Sequence, residues 1–179
     1  MAWSAPMTAV ANTAFTAAQF NQYVRDNLNE TVPAKVTEEG QYPVGSGTNA
    51  IAMRRAQAAS ALATINTSST TYASVTGPSV TLNTGTTVLV FLYAQFTINT
   101  NSESAYFSVE ISGASSISAL DTRALTVGRY TTQWLMGATL ANYVTGLTAG
   151  SNTVSGMVRV SNGAAIGTYD NRRVIAVPF

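Results

Sequence analysis

From about Tyr72 onward the apolar residues recur at every second position, and this period of two constrains the fold more than any other feature of the chain. The segments Val80–Leu82, Thr86–Ile98, Tyr106–Ile111, Thr132–Val144, Thr153–Val160, Ala165–Tyr169 and Arg173–Phe179 are separated by Gly, Asn, Ser and Asp. Seven or eight short strands in about 110 residues, with no helix between them, predict an antiparallel β-sandwich or jelly roll. Within Tyr106–Ile111, Phe107, Val109 and Ile111 alternate with Tyr106, Ser108 and Glu110, the pattern of a sheet wet on one face. Val88-Leu-Val-Phe-Leu92 is continuously apolar instead. It predicts a strand covered on both sides, at the sandwich centre or against a neighbouring subunit. Val174–Phe179 is apolar as well and predicts a central or interface strand.

Ahead of the strands lies a helix signal. Thr16 and Gln19 have capping-box spacing, so each side chain can satisfy a free backbone N–H, and Phe15 and Phe20 stand at the two positions of a hydrophobic staple. Ala17, Phe20, Val24 and Leu28 then recur at helical spacing, with Tyr23 widening the stripe, which predicts a short α-helix ending near Leu28 or Asn29. About twelve residues of helix are marginal alone in water, so the apolar face must lie on its own head, on sister chains or on another protein. Trp3 and Phe15 have little local structure to bury them and are candidates for contact with another protein or for folding back on the head. Glu38–Asn49 is aperiodic and rich in turn formers, predicting an extended arm. Ala50–Ile65 is helix-compatible, with Ala52, Ala56, Ala59 and Ala63 along one ridge. The division predicted is residues 1–66 as helix and arm and residues 67–179 as the sandwich head.

Composition narrows the chemistry. Charged residues are 9% of the chain against roughly 25% in average proteins, which argues against a charged disordered tail and suits short Thr- and Val-rich strands. The basic residues are scattered apart from Arg54-Arg55 and Arg172-Arg173, so no nucleic-acid partner is expected. Without Cys there is no disulfide framework or thiolate metal site, and without His the usual general base, the Ser-His-Asp triad and the commonest metal ligand are missing. Gly45-Ser-Gly47 lacks the Lys-Ser/Thr ending of a phosphate loop, and Asp and Asn do not fall at calcium-loop spacing. No secretory leader and no run of 18 apolar residues is present, so no membrane insertion is expected.

The acids of the predicted head, Glu103, Glu110, Asp121 and Asp170, lie on four segments and read as loop caps and solvated strand residues rather than a glycosidase pair. No catalytic residue, metal ligand or cofactor is predicted. Asp121-Thr-Arg123 and Asp170-Asn-Arg172-Arg173 set acids beside Arg, either as a polar rim for subunit or glycan contact or as local turn chemistry. Tyr130, Trp134, Tyr143 and Tyr169 can stack on sugar rings if exposed, or fill the core.

Trp3, Thr16-Ala-Ala-Gln19-Phe20-Asn21 and Val24-Arg-Asp-Asn-Leu28 resemble the N-terminal segment shared by many virion proteins of phages that infect actinobacteria. Gly40-Gln-Tyr-Pro-Val-Gly45 through Ala50, followed by Arg54-Arg55, resembles a Gly-rich turn unit of phage fibre and head-surface proteins. The stretch from Thr76-Gly77 through Val144–Asn152 to Asn171–Ile175 resembles the tumour-necrosis-factor-like jelly rolls that phages mount as trimers. The resemblance implies a homotrimer on the virion surface, anchored by its N-terminal segment with the head outward, on capsid or tail. With no catalytic set in the head, the leading expectation is a non-enzymatic capsid decoration or head-fibre protein held on the major capsid protein. Trp3, Phe15, Phe20, Tyr23, Val24 and Leu28 would make the attachment. The alternative is a tail-associated receptor-binding protein that recognises a host cell-surface glycan. Tyr130, Trp134, Tyr143 and Arg172 are the candidate glycan or subunit contacts.

Overall fold

A computed structural model describes residues 4–5, 7–8, 10–128 and 136–179. The chain divides into two compact units, Met1–Arg55 and Ala56–Phe179. The break precedes the predicted boundary at 66/67 because the residues just after it pair into the larger unit's sheet.

The first unit begins with the capped helix. Thr16 Oγ1 accepts from the Gln19 N–H at 3.2 Å and Gln19 Oε1 accepts from the Thr16 N–H at 3.0 Å, closing the capping box. The Phe15 and Phe20 rings meet edge to face, centroids 6.1 Å apart, as a staple does. Helical backbone runs through α1 (Ala17–Phe20), a π-helical stretch (Asn21–Arg25) and α2 (Asp26–Asn29), and a further turn, α3 (Val32–Lys35), follows. Buried Asn27 fixes the chain entering this helix, since its side chain accepts from Ser4 N–H at 2.8 Å and donates to Ser4 O at 3.2 Å.

The predicted arm is instead one strand of a hairpin. β1 (Gln41–Gly47) pairs antiparallel with β2 (Ala50–Arg55), and the turn uses Asn49 at φ 54°, a backbone region that Asn tolerates. Pro43 and the glycines hide the period of two in β1, but pairs such as Tyr42 with Arg54 and Val44 with Ala52 supply what the pattern lacks.

The larger unit is the expected antiparallel β-sandwich. Its strands are β3 (Gln57–Ala61), β4 (Ile65–Thr67), β5 (Ser79–Thr84), β6 (Thr87–Ile98), β7 (Ser104–Gly113), β8 (Leu125–Gly128), β9 (Met136–Thr145), β10 (Gly150–Val160) and β11 (Gly167–Pro178). One sheet has the order β3-β11-β6-β9, with β4 also on β11, and the other has the order β5-β10-β7-β8. Apart from β3–β4 and β7–β8, successive strands cross between the sheets in the manner of a jelly roll. Val88, Val90, Leu92, Ala94 and Phe96 of β6 face Phe107, Val109 and Ile111 of β7 across a closed core, all 1% exposed or less. Tyr169 is part of this core, stacked on Phe96 with centroids 5.7 Å apart, so of the aromatic candidates it takes the core-filling role.

Two expectations are corrected here. The helix-compatible run Ala50–Ile65 forms β2 and β3 and reaches the start of β4, because Gln57–Ala61 finds a ladder on Arg172–Ala176. A ladder shared with a buried strand outweighs the modest helix preference of alanine. Arg172, expected as a glycan or subunit contact, is 1% exposed. Between Asp170 and Arg173 the pairing of β11 with β6 shifts, Asn171 takes φ 45°, and this bulge sends the Arg172 side chain inward. Its guanidinium donates to Ala63 O at 2.8 Å and Val75 O at 3.0 Å, so it ties two loops that precede β5 to the last strand. Burial pushes the guanidinium below its usual pKa, with Asp170 opposing. Arg172→Ala should therefore lower unfolding stability by about 3 kcal/mol, since buried carbonyls lose their donors and a cavity opens. Chemical denaturation checks this; a loss under about 1 kcal/mol would mean that the loops are held by other bonds.

Candidate functional site

Three surfaces remain after the core is accounted for. The first is the helical stripe of the N-terminal unit. Phe15 and Phe20 are each 49% exposed and Leu28 is 59% exposed, while Tyr23 and Val24 are partly buried. Of the predicted attachment residues these five form one run along the capped helix; Trp3 lies outside the described residues.

The second surface is the outward face of the β3-β11-β6-β9 sheet. Register sets its side chains in rows across the strands: Tyr143-Leu89-Val177, then Ala141-Phe91-Ile175, then Thr139-Tyr93-Arg173. Leu89, Phe91, Ile175 and Val177 are only partly buried, and Tyr143 is 65% exposed, its ring tilted against Phe179 at 6.5 Å. The continuous apolar run Val88–Leu92 is thus accounted for on one side only. Val88, Val90 and Leu92 fill the core, while Leu89 and Phe91 belong to an apolar stretch of the outer face, bordered by the charges of Arg173 and Asp170. Tyr143 is the predicted contact residue that lies on it. Tyr130 and Trp134 lie outside the described residues.

The third is a polar cluster on the other sheet. Arg159 of β10 is paired with Tyr106 of β7. On the opposite side of β10, Ala73 bridges Val158 through reciprocal N–H to O bonds of 3.0 Å, which brings Tyr72 alongside. The Arg159 guanidinium lies 4.0 Å from the Tyr106 ring centroid and 5.4 Å from that of Tyr72, a cation between two aromatic faces. Over it folds the segment carrying Asp121, whose carboxylate takes Arg159 Nε–H at 2.9 Å, a second N–H from the same guanidinium, and the Tyr72 hydroxyl at 2.8 Å. Ser108 Oγ donates to Leu120 O at 2.8 Å and pins the same segment to β7, which is why Ser108 is buried on a face expected to be wet. Glu110 lines the cleft beside them.

Sequence spacing pairs Asp121 with its neighbour Arg123, but the partner is Arg159, 38 residues away; Arg123 donates instead to Ser118 O at 2.5 Å. What could have flagged Arg159 is its parity: it sits between inward Val158 and Val160 and must point outward. Glu103 caps Ser161 and Asn162, and Asp170 accepts the Asn171 N–H within the bulge. Among the described residues no group of three or more His, Cys, Asp or Glu could hold a metal ion. No described helix is long and apolar enough to cross a membrane. No protein-family model matches the chain, and no curated protein is significantly similar to it.

Arg159 beside Asp121 holds that carboxyl below its ordinary pKa near 3.8, with the Tyr72 hydroxyl adding to the effect and partial burial opposing it. Because the folded value is depressed, the contribution is present at neutral pH and is lost only as the pH falls through that depressed value. The Asp121 segment should therefore stay fixed on acidification to about pH 4 and release below it. The Arg159 Nε–H resonance, followed from about pH 7 to about pH 3, checks this; release above about pH 5 would contradict the pairing.

Proposed function

We propose that this chain is a non-enzymatic structural protein of a phage particle, a decoration or head-fibre homotrimer that attaches by its N-terminal unit and projects its jelly-roll head. The observation that carries the reading is the exposure of the helical stripe. A capped helix spends Phe15, Phe20 and Leu28 on a face that stays about half open, and such a face calls for a partner. The similarity of Trp3 to Leu28 to phage virion segments supports a partner on the particle, and in this reading that partner is the major capsid protein of the shell. Support for the trimer comes from the apolar outward rows on β9, β6 and β11, whose low charge suits subunit packing.

The double substitution Phe20→Asp and Leu28→Asp should abolish cosedimentation with phage heads while leaving the far-UV spectrum of the sandwich unchanged. Attachment retained at the level of the unaltered chain would refute the role given to the helix.

A further inference from the structure

We propose that the cleft over Arg159 is a binding site for a chain of neutral hexoses, with Glu110, Asp121 and Arg159 as its hydrogen-bonding groups and Tyr72 and Leu120 as its apolar wall. The cleft lies on the face of the sandwich opposite the apolar rows, and the inference does not rest on the particle reading.

The cleft measures about 660 Å³, inside the range of roughly 300–1,000 Å³ usual for ligand sites. Its walls are fixed before any ligand arrives. One wall is held by Ser108 and Arg159 on Leu120 and Asp121. The other is held by the Ala73 bridge to Val158 and by the Val160 N–H on Ser69 O at 2.8 Å. A ligand that binds here orders little protein, which favours weakly interacting sugars.

The hydrogen-bonding inventory selects the ligand. A carboxylate has about four acceptor positions, and Asp121 gives three of them to Arg159 and Tyr72, leaving one. A guanidinium has five N–H donors, and Arg159 uses two on Asp121 and one on Val160 O, leaving two. Glu110 lines the cleft and has no hydrogen bond or ion pair to another described residue, so its acceptors are open to a ligand there. On Asp121 and Arg159 an acceptor and donors thus stand side by side, the arrangement a vicinal diol satisfies, and Glu110 offers acceptors further along the cleft, four residues on from Tyr106 in β7. A cationic ligand would meet the spare Arg159 donors and an anionic one would meet Glu110, whereas a neutral polyol matches both. Thr71 and Thr122 add hydroxyls at the rim, and the Tyr72 ring and the exposed Leu120 side chain suit the C–H face of a sugar ring.

The test is an NMR titration of the full chain with maltotriose, mannotriose and galactotriose, with hexalysine and trigalacturonate as charged controls. At least one neutral trisaccharide should shift the amides of residues 70–72 and 118–122 with a Kd of about 1 mM or tighter. Glu110→Ala, which breaks no bond within the described chain, should weaken that binding about tenfold, and Asp121→Asn should do the same. If Asp121→Asn frees its segment, Glu110→Ala decides alone. Retention on immobilised mannan, dextran or galactan would identify a surface polysaccharide as the source, and binding of the trisaccharide alone a free oligosaccharide. The proposal is overturned if no trisaccharide shifts those amides, if Glu110→Ala binds as the unaltered chain does, or if only a charged control binds.

Discussion

The pairing of β11 on both of its edges is the constraint on which the rest of the larger unit depends. One edge carries β6 from Gly167 to Pro178, and the other carries β4 and then β3. A strand so placed must be apolar along its inward side and must keep its register, because a slip of one residue would exchange its two faces. The one extra residue between Asp170 and Arg173 is the permitted irregularity of this strand, and it is used. The bulge turns Arg172 inward, where a side chain long enough to reach two loops supplies the N–H donors those loops lack. A buried cation with carbonyl partners alone is an expensive device, and it is sustained here by the closed core around it.

The same parity divides the molecule's surfaces. Inward positions of β6, β7, β10 and β11 are spent on the core, and the outward positions differ between the sheets. On β9, β6 and β11 they are apolar and nearly without charge. On β7 and β10 they carry Tyr106, Glu110 and Arg159, and loop residues Tyr72 and Asp121 join Tyr106 and Arg159 in a bonded network. A face of the first kind is suited to permanent contact with another protein surface, and a face of the second kind to reversible contact with a polar ligand. The N-terminal unit adds a third type, a short capped helix whose aromatic edge is left open.

How much of this was legible in the sequence follows from how local each cause is. The cap at Thr16 and Gln19 and the staple of Phe15 on Phe20 are complete within five residues, and both form as the spacing predicts. Most strands from Ser79 onward were readable because each contains its own alternation, but the four residues of β8 were too short to show one and the bulge at Asn171 made β11 read as two strands. Gln57–Ala61 was not, since an alanine run carries no period and its identity as a strand is decided by Arg172–Ala176, more than a hundred residues away. The partner of Asp121 and the burial of Arg172 were missed for the same reason. Chain neighbours suggested rim ion pairs, while strand register delivered Arg159 to the first and a bulge buried the second.

The most direct measurement of the central claim is the mass of the full chain by light scattering, beside that of Phe91→Asp. The account predicts a trimer of 18.7 kDa chains, about 56 kDa, for the unaltered protein, and a shift to the single-chain mass when a charge is set into the middle apolar row. A mass of 18.7 kDa for the unaltered chain, or a trimer untouched by Phe91→Asp, would contradict it.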